Sequence, residues 1–343
     1  MKSFSKAGEI QVGVVGYGGA FNMGRAHFNE MQAAGMTPRA VAEIDPERLA
    51  VAVKEFPGIE TYRTVDEMLR KSSVNLVTLI TPHNTHAPLA MKCLKAGRHV
   101  VAEKPMAVTT AECDAMIAAA KKSKVVLSTY HNRHWDGIIL GALEQIRSGV
   151  IGDVVRIEME MGRLAKPGDW WRSSKSISGG ILYDWGVHLC EYILQMVDSD
   201  IAEVSGFTWN GVWAGQTQWK KDTIEDDGQI VIRFTSGAWA TIQITSLDAR
   251  PNQPWFKVVG TQGTLTPDWW NTEITTLDGD KRVTTQIPTP PSKGHLFYQN
   301  IANHLVKGTK LVITPEWSRR PIHIIDLACQ SAKAGKAMKA KYK

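Results

Sequence analysis

The chain is short of cysteine, of long apolar runs and of evenly spread excess charge. Its four cysteines, Cys93, Cys113, Cys190 and Cys329, are scattered through 343 residues without a CxxC pair. No disulfide or zinc framework follows from that spacing, and they read as small buried side chains in a reducing compartment. No run reaches the ~18 apolar residues of a membrane-spanning helix, and the first ten residues lack the apolar core of a secretory leader. A cytoplasmic protein is the expectation. The formal charge of +6 could suggest nucleic acid, but Lys333, Lys336, Lys339, Lys341 and Lys343 cluster with no acid in the last thirteen residues. A frayed, solvated tail accounts for most of the imbalance, so no nucleic-acid partner is expected. No internal repeat occurs, and this Lys/Ala tail is the one low-complexity stretch.

What is present is a globular composition, 43% hydrophobic and 22% charged, in a chain long enough for two domains. The first covers residues 1–130. A strand over 11–15 runs into Gly16-Tyr-Gly-Gly-Ala-Phe-Asn-Met-Gly24, and a helix follows over 25–33. Strand, glycine turn and helix form a phosphate cradle: Gly16 makes the tight turn, Gly18 and Gly19 admit close backbone approach, and helix amides face the anion. The usual third glycine would stand at Phe21. If Ala20 to Met23 are an insertion, Gly24 takes that place, while Phe21, Asn22 and Met23 add contacts over a dinucleotide pyrophosphate. The second strand, over 38–43, ends in Glu43, positioned for ribose hydroxyls and repulsive to a 2′-phosphate, so NAD rather than NADP is the expected cofactor. Asp45 before Pro46 reads as a helix cap.

Apolar strands at 75–80, 99–102 and 125–128 alternate with helices at 87–96 and 111–122, the pattern of a doubly wound parallel sheet. Ligands of such sheets sit at the carboxyl ends of the strands. Three loops leave those ends, running from Thr81 to His86, through Glu103-Lys104-Pro105, and from Tyr130 to His134. Thr81, Pro82, His86 and Glu103 are candidates for the cofactor, and Lys104 and Arg133 for a substrate. A lysine at a strand tip, its backbone restricted by the following proline, can stabilise negative charge developing on a substrate oxygen.

Gly179-Gly180 opens an apolar stretch that predicts one buried helix over 181–196. Asp184 and His188 would share a face of it, with Glu191 a turn further on. A carboxylate and an imidazole so placed can exchange a proton near neutral pH. The same spacing suits a purely structural pair and is geometrically open to a metal, although Lys104 would be a poor companion for a dication, so no metal is expected. Ahead of this helix, the loop 166–175 mixes aromatic and cationic groups; Trp171, Arg172 and Lys175 are candidates for contacts to a pyranose ring. A helix over 135–148 and a strand over 152–161 precede that loop. From 201 onward six strands (201–209, 228–235, 238–246, 255–260, 263–266 and 272–277), separated by glycine turns, predict an antiparallel meander. Helices over 295–307 and 316–338 close the chain.

Taken in order, Gly16-Tyr-Gly-Gly, Glu43, Thr81-Pro82 with His86, Glu103-Lys104-Pro105, and Gly179-Gly-x-x-x-Asp184-x-x-x-His188 resemble the glucose-fructose oxidoreductase, inositol dehydrogenase and MocA family of nicotinamide-dependent sugar oxidoreductases. The resemblance covers nearly the whole chain and rests on the Glu-Lys-Pro loop occurring together with the Gly-Gly, Asp and His pattern. It implies an α/β fold: an N-terminal Rossmann domain, then over 131–343 an α+β domain with a large open, mostly antiparallel sheet, commonly used for oligomerisation. It also implies Lys104, Asp184 and His188 as the catalytic set, with His188 as acid/base. The chain departs from the family in its longer glycine loop and in reading His83-Asn84 after Pro82, where the family tends to place Asn first. The expected function is NAD-dependent hydride transfer at a hydroxyl carbon of a sugar, cyclitol or glycoside, by a homo-oligomer with no membrane partner. The alternatives are redox-neutral glycoside cleavage through C3 oxidation and elimination, and a non-catalytic sugar or dinucleotide sensor.

Overall fold

The computed structural model describes residues 3–251 and 254–342. The chain forms two compact units, Met1–Asn132 with His295–Arg319, and Arg133–Gly294 with Arg320–Lys343.

In the first unit β1 (Gln11–Val15), α1 (Met23–Ala33), β2 (Thr37–Ala42), α2 (Pro46–Glu55), β3 (Glu60–Tyr62), α3 (Val65–Lys71), β4 (Leu76–Leu79), α4 (His86–Lys95), β5 (His99–Ala102), α5 (Thr110–Ser123) and β6 (Leu127–Thr129) alternate. The strands form a parallel sheet of order β3-β2-β1-β4-β5-β6. Every residue of β4 and β5 is buried, as strands covered on both faces must be. The Asp45 side chain accepts from Glu47 N at 2.9 Å with Pro46 opening α2, and Thr109 and Glu112 make a reciprocal capping box on α5. Strand order reverses between β1 and β4, which fixes where a ligand of this sheet binds.

The second unit holds α6 (Gly137–Arg147), β7 (Val154–Gly162), α7 (Lys175–Ser178), α8 (Ile181–Asp184), α9 (Gly186–Met196), β8 (Ile201–Trp209), β9 (Asp227–Phe234), β10 (Trp239–Thr245), β11 (Phe256–Gly260), β12 (Gly263–Pro267), β13 (Asn271–Asp278) and β14 (Lys281–Pro288). After α10 (Leu296–Lys307) and α11 (Pro315–Ala334), β15 (Met338–Lys339) completes a nine-stranded sheet of order β14-β13-β12-β11-β7-β10-β9-β8-β15. β7 and β10 run parallel; the other pairs are antiparallel. One face packs on α6, α8 and α9, and α11 docks on β8 where a Cβ on Gly206 would stand 2.1 Å from Ala328 O. The opposite face keeps alternate residues accessible, among them Gln229, Thr241, Gln243 and Trp239, with Phe207 and Trp209 well exposed.

Three expectations change. The helix expected over 181–196 is two pieces, α8 and α9, separated at Trp185, whose carbonyl accepts from both His188 N and Leu189 N; Asp184 and His188 therefore do not share one uninterrupted helix. The basic tail is not frayed through the described residues: Met338 and Lys339 pair with Val204 and Glu203, and Lys341 N donates to His323 Nε2. Lys343 lies outside the described residues, as do Met1 and Lys2. The closing helix stops at Ala334, before Gly335 with φ 64°. None of the four cysteines is in a disulfide, and three of them are buried. Among the described residues no helix is long and apolar enough to cross a membrane.

Candidate active site

The glycine loop is shaped by what each position excludes. Gly16 has φ 91°, and a Cβ there would fall 2.5 Å from Ile80 O, just past the end of β4, so only glycine passes. Gly24 abuts the Tyr17 ring, 2.4 Å from where its Cβ would be; it supplies the close helix approach that Phe21 does not. Gly18 has nothing within 4 Å of its would-be Cβ, so its backbone faces open space. Gly19 sits under the Arg48 guanidinium, Phe21 is 57% exposed, and Asn22, left-handed at φ 50°, leads into Met23, the first residue of α1. One register beyond β2, Glu43 accepts Tyr17 N at 2.5 Å on one carboxylate oxygen and Asp45 N at 3.0 Å on the other. Each oxygen retains acceptor capacity. Backbone open to an anion and a carboxylate at the ribose position fit a dinucleotide.

Behind the neighbouring loops lies a buried polar chain. The ring of His86 is fully buried between Pro105 O (2.7 Å, Nδ1) and Thr81 O (2.8 Å, Nε2). Both partners only accept, so the neutral ring satisfies one at a time, and burial holds its pKa below the usual imidazole value. His86 thus lies between the Thr81-Pro82 loop and the Lys104-Pro105 loop and ties them together. The Lys104-Pro105 bond is cis. Glu103 Oε1 meets His27 Nε2 at 3.0 Å and its Oε2 accepts Lys104 N at 2.9 Å. Burial pushes the Glu103 carboxyl up, but the His27 bond and the nearby positive charge of His27 and Lys104 hold it below its ordinary value. His27 is itself fully buried, with Nδ1 2.7 Å from Tyr298 Oη, which also contacts Thr78 Oγ1. Nothing in the sequence singles out His27 or Tyr298; their partners are 76 and 271 residues from His27 along the chain.

In the second unit a cavity of about 310 Å³ is lined by Arg163, Lys166, Trp170, Arg172, Asp184 and Trp185 among others. The Arg172 guanidinium lies 4.7 and 4.6 Å over the rings of Trp170 and Trp171, with Nε 3.5 Å from Asp184 Oδ1. Trp171 and Lys175, expected at a substrate, are not among the lining residues. Lys175 instead pairs at 2.5 Å with the buried Glu225, whose other oxygen accepts Ile181 N at 3.0 Å. That carboxylate explains the double glycine: a Cβ on Gly180 would stand 2.6 Å from it, and one on Gly179 2.7 Å from the Tyr183 ring, and both residues have positive φ (129° and 95°).

His188 on α9 is buried, with the Trp185 ring edge-on at 5.7 Å. Arg133 sits 4.8 Å over the same Trp185 ring and donates to Asp136 at 2.8 Å, and Tyr192 donates to that same oxygen at 2.6 Å. Arg133 is thereby a buttress of Trp185. Glu191 is held by His134 at 2.5 Å and Gln195 at 2.9 Å. Among the described residues no group of three or more His, Cys, Asp or Glu could hold a metal ion.

A doubly wound sheet with a dinucleotide-shaped glycine turn, followed by a broad mixed sheet whose helical cover carries a carboxylate and an imidazole, defines a nucleotide-dependent two-domain oxidoreductase. Residues 10–131 match the GFO_IDH_MocA model, described as an oxidoreductase family with an NAD-binding Rossmann fold, and 139–266 match the GFO/IDH/MocA C-terminal domain. The chain belongs to this family. It is 25% identical to the scyllo-inositol 2-dehydrogenase (NADP(+)) of Bacillus subtilis, over 97% of this chain and 96% of that one. With the myo-inositol 2-dehydrogenase of Thermotoga maritima the identity is 28%, over 76% and 75%. An NAD-binding protein from Listeria innocua of known structure superposes with a TM-score of 0.83 at 28% identity, covering 97% of each chain.

Proposed function

We propose that the chain is an NAD-dependent dehydrogenase that moves a hydride to or from a hydroxyl carbon of a sugar, cyclitol or glycoside. The observation that carries this is Asp184 in the wall of a cavity floored by tryptophan, the surface a pyranose or cyclitol ring needs. In this reading NAD, held by the glycine loop and Glu43, supplies the hydride acceptor. His188 takes the proton from the substrate hydroxyl, Lys104 Nζ hydrogen-bonds the same oxygen, and Asp184 orients the alcohol. His27 and His86 brace the loop that carries Lys104. The two relatives named for inositol dehydrogenases support a cyclitol or sugar. The test is stoichiometric NAD reduction with a panel of sugars and cyclitols. Turnover lost in both Lys104→Ala and His188→Ala supports the reading; wild-type rates in both remove it.

The lengthened glycine loop, with Phe21 exposed, favours a second reading in which the cofactor stays bound through redox-neutral glycoside cleavage. NAD copurifying with the protein, together with activity on chromogenic glycosides, selects it. The accessible face of the nine-stranded sheet suits a homo-oligomer, dimer or tetramer, working in the cytoplasm; light scattering on the purified protein reads its mass.

A further inference from the structure

We propose that the substrate of this site carries a carboxylate, a sugar acid in place of a neutral sugar, and that Arg163 is the residue that reads it. The inference rests on the dehydrogenase reading above and specifies its substrate class.

The charges around the cavity of the second unit do not balance. Its charged lining residues are Arg163, Lys166, Arg172 and Asp184. Arg172 faces Asp184 at 3.5 Å and is held over two indole rings. Lys166 pairs with Asp169 at 3.3 Å and donates to Gln216 O at 3.1 Å. The Arg163 side chain makes no hydrogen bond, ion pair or ring contact among the described residues. One positive charge therefore remains uncompensated, and it is a guanidinium, whose planar fork matches a carboxylate with two parallel N–H···O bonds. A phosphate would bring ~1.5–2 negative charges, more than one arginine balances, whereas a carboxylate brings one.

The backbone that carries Arg163 is held in place, and its exposed side chain is open to an incoming ligand. It follows Gly162 at the end of β7, whose φ is 159° and whose Cβ would stand 2.1 Å from Thr245 O. Arg163 N donates to that same Thr245 O at 3.2 Å, and Ala165 N to Ser246 O at 3.1 Å. The cavity volume, about 310 Å³, lies at the small end of ligand pockets, roughly 300–1,000 Å³, suited to a single ring with its acid group.

The experiment compares D-glucuronate and D-galacturonate with D-glucose, D-galactose and myo-inositol, using the cofactor-loaded wild type, Arg163→Gln and Arg163→Lys. The proposal expects a higher kcat/KM for an acid than for its neutral counterpart. It also expects a KM for the acid that rises about 10- to 100-fold in Arg163→Gln at little-changed kcat, recovers in part in Arg163→Lys, and stays put for neutral sugars. A wild type that prefers the neutral ring, or an Arg163→Gln that raises KM equally for both, overturns this inference while leaving the dehydrogenase reading standing. If no carbohydrate is turned over, the dehydrogenase reading falls by itself, and calorimetric titration of glucuronate then decides the charge argument: binding weakened in Arg163→Gln upholds it, and absent or unaltered binding ends it.

Discussion

His27 Nε2 lies 3.0 Å from Glu103 Oε1, joining the first helix of the dinucleotide unit to the loop that carries Lys104. The second Glu103 oxygen accepts the Lys104 backbone N–H, so the imidazole acts on Lys104 through one carboxylate. His27→Ala takes the imidazole partner from that carboxylate and from Tyr298 Oη, leaving each with one contact fewer in a buried setting. The expected cost is about 2–3 kcal/mol of stability, with a Glu103 carboxyl that protonates at higher pH than in the wild type. His27→Gln, which can still donate to Glu103, should recover part of both; denaturant melts at several pH values measure it.

Gly16 and Gly18 should respond in opposite ways. Gly16→Ala drives a methyl to 2.5 Å from Ile80 O at a positive φ, so stability falls. Gly18→Val places its side chain in open space, so the melting temperature holds while NAD affinity, read by fluorescence titration, drops at least tenfold.

Glu43→Gln removes the negative charge at the ribose position while keeping one acceptor oxygen. Repulsion of a 2′-phosphate is relieved, and the ratio of NAD to NADP affinity should fall about tenfold or more, on the order of 1–2 kcal/mol. An unchanged ratio would take cofactor choice away from Glu43.

His99 Nδ1 accepts Val126 N at 2.9 Å, so the native ring must be neutral at that nitrogen. Burial, aided by His304, lowers its pKa to about 4 from an ordinary 6.5. The unfolded chain takes up the proton more readily, so this contribution is complete above pH 6.5 and is lost as pH falls toward 4. Its size is about 3 kcal/mol. His86, also depressed by burial, adds in the same direction. His99→Asn keeps an acceptor without the titration; its loss of melting temperature between pH 7 and pH 5 should be smaller than that of wild type.

Much of the first unit is legible in sequence because parallel strands are continuous apolar runs, and β1, β4 and β5 stand close to their expected positions. Gly16 and Glu43 declare themselves by chain position, the one as a turn and the other at a strand end. What escapes the sequence depends on distant partners. β14 is exposed along nearly its whole length and so shows no apolar periodicity. The part played by Lys175 is set by Glu225, fifty residues away, and that of His86 by Pro105 O. The break at Trp185 goes unannounced, since no proline stands there and the apolar residues beyond Gly186 continue the helical spacing.

That break has a practical meaning for redesign. Asp184 ends one short segment and answers to Arg172 and the tryptophan-rich loop before it, whereas His188 is anchored in a longer rod against the sheet. Under the proposed function, changes in residues 166–175 re-aim the carboxylate toward a new ring while the imidazole keeps its seat, so altered preference need not sacrifice the chemistry.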